Sequence, residues 1–251
     1  MIIDIDNQES IQIATELITK DWFNPDEIYG RLKATGETGL SGFWNIHTDM
    51  IAAMSTALEC TSDEFLNEWD QRCIGNDTRF MGYHCTRHSD KQVFLEKGIL
   101  PLSGETIRIA NDNSQSARET SVREYRFEQA PGPFFLLSYK CAKKPDNHFC
   151  LNGPEILLGC AGQHIDVDAA KSVPLIIHCA IPYSFLFERD YFAFCVFRAY
   201  FIFLDPEDDT LELFDGYSID LRGKALDPEY IVRIEETEPL YNDGVQPIAP
   251  K

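Results

Sequence analysis

Five consecutive residues, His84-Cys85-Thr86-Arg87-His88, gather two imidazoles, a thiol, a hydroxyl and a guanidinium at one place in the chain. They lie inside FMGYHCTRHSDKQVFLEKGILPLSGE, which runs from Phe80 to Glu105. Side chains of these types hold sugar hydroxyls, phosphates or metal ions, and burying one without a partner costs on the order of a few kcal/mol. If Phe80–Thr86 is a strand, alternation puts His84 and Thr86 on the face of Gly82 and turns Tyr83 and Cys85 the other way. The purely structural reading is a core histidine satisfied by a hydrogen bond at a strand end. The functional reading is a cleft wall.

The elements around this stretch decide what it can face. Apolar residues at helical spacing in ESIQIATELITKDW, an Asn-Pro start and glycine stop in NPDEIYGRLKATG, and the hydroxyl start of TSDEFLNEWDQRC predict three or four helices between Glu9 and Cys73. After Asn76 the chain turns to short apolar runs rich in aromatic and β-branched residues and broken by Gly and Pro, which predicts strands. These are Phe80–Thr86, Pro133–Tyr139, Val173–Ile181, a stretch within Phe192–Phe203, Leu211–Phe214 and Tyr230–Ile234. Helices are expected at Asp90–Lys97, closed by Gly98, and from near Pro154. The fold class is therefore α+β: a helical N-terminal region, 1–76, followed by a mixed, mainly antiparallel β core in an α+β domain, 77–251. Between the Asp90–Lys97 helix and the one near Pro154, SGETIRIANDNSQSARETSVREYRFEQAPG is long and polar for a simple connection, as functional loops often are.

With 44% hydrophobic and 12% aromatic residues in a 251-residue chain, the composition is that of a globular protein. YFAFCVFRAYFIFL, Tyr191 to Leu204, is interrupted by Arg198 and falls short of the roughly 20 residues a membrane span needs, so no membrane partner is expected. The acidic start MIIDIDNQESIQ lacks the basic and apolar regions of a secretory signal, which predicts a cytoplasmic location. Eight cysteines at irregular spacing include no C-x-x-C pair, so neither a zinc ribbon nor a thioredoxin-type centre is indicated. The net charge of −19 repels phosphate backbones and disfavours broad nucleic-acid binding.

GYHCTR, a helix and then GILPLSG together resemble the first core motif of the ADP-ribosyltransferase superfamily, of the diphtheria-toxin and poly(ADP-ribose) polymerase type. There a His-Gly-Thr or His-Gly-Ser ends a strand and precedes a helix. GPFFLLSYKCAKKPDNHFCLNGPEILLG is similar to the family's second and third core elements. The resemblance runs from Phe80 to Glu235 in element order, and the helices before Cys73 match nothing in it. It implies an ADP-ribosyltransferase-like fold, NAD as substrate, and transfer of ADP-ribose to a macromolecular acceptor, a protein somewhat more than a nucleic acid. It also implies a toxin or effector, which would be delivered to another cell.

The resemblance further implies individual roles. His84 would hydrogen-bond the nicotinamide ribose, and the backbone at Cys85, where the family has glycine, would grip the carboxamide beside Thr86. Tyr139, or failing that Phe149, would stack on nicotinamide, and Glu155 would be the catalytic carboxylate. The residues themselves suggest Arg87 for the pyrophosphate, because a guanidinium fork matches phosphate oxygens. Core packing is the structural alternative for Tyr139, and a first-turn helix position for Glu155.

Three other readings stay open. His84, His88, His148 and Cys150 could converge on zinc, although their spacing fits no established pattern, and no metal is expected. A cysteine hydrolase needs a thiolate, a histidine and an orienting carboxylate or amide that only the fold can assemble. The alternative from a different class is a non-enzymatic acidic interaction protein or inhibitor built on a decayed transferase-like scaffold.

Overall fold

The computed structural model describes residues 1–36, 46–105, 108, 128, 131–144, 173–207 and 218–237. The chain is α+β, with helices and a mainly antiparallel sheet. It divides into two compact units, Met1–Met81 with Pro182–Tyr217, and Gly82–Ile181 with Ser218–Lys251. The helical region expected at 1–76 falls within the first unit, which also takes in a later helix, Arg189–Leu204.

The first unit contains β1 (Ile2–Ile3), α1 (Gln8–Thr19), α2 (Pro25–Thr35), α3 (Ile46–Ala57) and α4 (Ser62–Gly75). Local chemistry sets the helix ends. Asn7 and Asn24 accept from the amides of Ser10 and Asp26 at the starts of α1 and α2, and Thr61 and Glu64 form a reciprocal capping box at the start of α4. Gly36, at φ 76°, ends α2 by donating to the carbonyls of Leu32 and Lys33. β1 pairs in parallel with the first residues of β2 (Arg79–His88), Ile2 opposite Arg79 and Ile3 opposite Phe80.

A strand is expected within Phe192–Phe203, and the structure corrects this: Arg189–Leu204 is a 16-residue helix, α7. Aromatic and β-branched richness argues for a strand, yet an apolar run this long exceeds ordinary strand length, and a helix apolar all round is one buried on every side. α7 packs against α1, α3 and α4. Phe197 meets the rings of Phe23 at 5.8 Å, Phe65 at 6.0 Å and Trp69 at 5.4 Å, and each such buried ring stabilises the unit by about 1.5–3 kcal/mol through removal from water. Arg198 keeps its guanidinium 5.6 Å from the Phe194 ring. Among the described residues no helix is long and apolar enough to cross a membrane.

The second unit holds the rest of β2, α5 (Gln92–Lys97), β3 (Phe134–Leu136), α6 (Tyr139–Ala142), β4 (Val173–Pro182, of which the last residue is in the first unit), β5 (Ser218–Asp220) and β6 (Ile231–Glu236). Its strands lie in the order β5-β3-β2-β4-β6. β2 and β3 are antiparallel with Tyr83 opposite Leu136. β3 and β5 are antiparallel with Phe135 opposite Ile219. β4 and β6 are antiparallel with Ile176 opposite Glu235 and His178 opposite Arg233, and the register shifts between His178 and Cys179.

Two glycines permit this packing. A Cβ on Gly82 would lie 2.6 Å from Ile181 Cδ1 and 3.1 Å from Phe135 Cβ, so the strand neighbours close over bare backbone. Gly98 ends α5 at φ 74°, where a Cβ would meet the Leu226 carbonyl oxygen at 2.0 Å; only glycine tolerates both the angle and the approach. Ile99 and Leu226 then bridge through bonds of 2.8 and 2.9 Å.

The strand expected over Pro133–Tyr139 is shorter than predicted. It ends at Leu136, and Ser138 accepts from the Cys141 amide at 3.2 Å to start α6 at Tyr139, because a serine hydroxyl serves as a helix cap better than as a strand side chain. The Leu211–Phe214 strand, the helix near Pro154 and most of the long polar connection lie outside the described residues.

Candidate functional site

β2 presents its polar residues by alternation. His84 follows Gly82 on one face and stacks at 5.5 Å on Phe135 of β3. Its Nδ1 lies 2.8 Å from the Phe134 carbonyl oxygen. A carbonyl can only accept, so Nδ1 carries the proton and donates, which leaves Nε2 as a lone-pair acceptor. Burial pushes the imidazole pKa down, the carbonyl bond opposing it, so the ring is held neutral. Among the described residues none bonds Nε2. Thr86, on the same face by alternation, is 6% exposed.

Tyr83 and Cys85 point to the other face, and Arg87 follows them by the same alternation. Cys85 is buried, its sulfur 4.0 Å from the Tyr83 carbonyl oxygen of its own strand. His88 turns back into the following loop, accepting from the Asp90 amide at 2.9 Å and packing on Phe94.

Tyr139 joins the Tyr83 face. Its ring lies 5.4 Å from Tyr83 and 5.1 Å from His178, and those two are 5.1 Å apart. Its hydroxyl donates to Glu235, with Oε1 at 2.9 Å and Oε2 at 2.7 Å. The structure therefore brings His84 and Thr86 together and places Tyr139 on the opposite side of β2. Glu155 and Phe149, with His148 and Cys150, lie outside the described residues.

Around Tyr139 stands a cluster that the sequence reading missed. Glu235 also receives His178 Nε2 at 3.2 Å, Lys143 Nζ at 3.2 Å and Arg233 at 3.4 Å. Burial opposes its charge, yet the bonds from Tyr139, Lys143 and His178 outweigh that and hold the carboxyl below the usual carboxylate range. His178 is 5% exposed; burial depresses its pKa, and Glu235 restores only part of the loss. Neutral His178 donates through Nε2 to the carboxylate. The signals were present: one imidazole interrupts the apolar run VPLIIHCAIP, and IVRIEE alternates so that Arg233 and Glu235 share a side.

The thiols divide less ambiguously. Burial raises the pKa of Cys73, Cys179 and Cys195, and that of Cys60, where Glu64 adds to the effect. None of these four is a ready thiolate. Among the described residues no group of three or more His, Cys, Asp or Glu is placed to hold a metal ion. Compared with protein-family models, curated proteins and solved structures, the chain has no match.

Proposed function

We propose that the chain is an ADP-ribosyltransferase that cleaves NAD and passes ADP-ribose to a macromolecular acceptor, a protein in preference to a nucleic acid. The observation that supports this best is the state of His84. A neutral ring, fixed at Nδ1 by the Phe134 carbonyl, offers Nε2 as an acceptor for a ribose hydroxyl. It does so from the HCT tripeptide that resembles the family's ribose-binding motif.

In the proposed reaction the bond between C1′ of the ribose and the nicotinamide nitrogen breaks, and its electron pair leaves with nicotinamide. The acceptor's nucleophile bonds C1′ and loses its proton. Positive charge builds on the ribose, which a nearby carboxylate stabilises; Glu155 is the residue assigned to it. Phe149, and not Tyr139 on the opposite face of β2, is assigned to the nicotinamide ring.

Purified protein incubated with NAD should release nicotinamide, and Glu155→Gln should suppress release while the melting temperature stays the same. No release with any acceptor extract would favour the non-enzymatic interaction protein instead.

A further inference from the structure

The Tyr139 cluster holds more donors than its carboxylate can use. Glu235 accepts from Tyr139, His178, Lys143 and Arg233, which fills the roughly four lone-pair positions of a carboxylate. Lys143 spends one of three ammonium protons there, and Arg233 one of five N–H groups. Both are open to water, at 48% and 59% exposure of the side chain. The two cations lie 5.3 and 5.9 Å from the centre of the same Tyr139 ring and reach the two oxygens of the same carboxylate, which among the described residues neutralises one of their two charges.

We propose that Lys143 and Arg233, set against Tyr139, form an anion-binding site for a phosphate or diphosphate group. A guanidinium fork and an adjacent ammonium can take separate oxygens of one such group, and this geometry suits a tetrahedral phosphate better than a single planar carboxylate. Glu235 acts as the positioning residue. It holds both cations in place and prevents them from relaxing apart, and Tyr139 and His178 hold it in turn. The Tyr83 and His178 rings lie against the Tyr139 ring and contribute no opposing charge. The site is on the face of β2 opposite His84, so it does not depend on the proposed NAD chemistry.

The test uses the full-length chain at low ionic strength, with inorganic pyrophosphate as the probe, followed by titration calorimetry. Saturable one-to-one binding is expected, weaker for orthophosphate. The double variant Lys143→Gln/Arg233→Gln should weaken it by about tenfold or more, the scale of losing charge-assisted hydrogen bonds, while the charge control Lys20→Gln should leave it unchanged. Binding that is absent in the wild type, or equal in both variants, overturns the proposal. Should the double variant not fold, acetylation of the wild type decides the matter. Pyrophosphate should slow modification of Lys143 more than that of Lys20, and equal rates would contradict the site.

Discussion

Tyr139 donates its hydroxyl to both oxygens of Glu235, at 2.9 and 2.7 Å, across 96 positions of sequence. The bond ties α6 to β6. The Tyr83 and His178 rings pack against the Tyr139 ring, so the bond anchors a packed aromatic cluster.

Removing that hydroxyl should destabilise the protein without unfolding it. Tyr139→Phe keeps the ring and its packing but deletes a donor to a charged acceptor, which costs about 1.5–3 kcal/mol. Chemical denaturation of the two proteins measures it, as a lower midpoint at unchanged slope. In contrast, nicotinamide release should persist in this variant, because the ring is not part of the His84 face.

Acid should weaken the cluster in two stages. Glu235 and His178 both have depressed pKa values in the folded state, so the unfolded chain binds protons first and stability falls as pH drops. For His178 the loss begins below its unfolded value of about 6.5, and for Glu235 below about 4.3. His84, also depressed, adds to the first stage. Melting temperatures followed from neutral pH downward should decline through both windows, and His178→Gln should flatten the upper one.

The helical unit should depend on α7. Phe197 is fully buried among Phe23, Phe65, Trp69 and Phe201, so Phe197→Ala leaves a large cavity and should cost about 3–5 kcal/mol. Tyr191→Ala, at a half-buried position on the same helix, should cost clearly less in the same denaturation experiment.

Much of this architecture could be read from local signals. The capping residues Asn24 and Thr61 mark two helix starts, Gly98 marks the end of α5, and the β2 and β4 strands follow their apolar runs. The α7 segment reads as a strand because aromatic and β-branched content favours strands, whereas burial on all sides is a tertiary fact that composition does not carry. The same limit applies at the site. Alternation around Gly82 gives the face of His84, but the partner that fixes its ring is a backbone carbonyl 50 positions away, invisible in side-chain chemistry. His178 and Glu235 each look like ordinary strand residues until the β4–β6 register brings their side chains to one face.

The most direct test of the central claim is to follow the His84 ring nitrogens by ¹⁵N NMR while NAD is added. A ribose hydroxyl bonded to Nε2 should shift that nitrogen as an acceptor and leave protonated Nδ1 on the Phe134 carbonyl nearly unmoved, with the effect saturating and absent in His84→Ala. An Nε2 signal that stays fixed through saturating NAD would contradict the account.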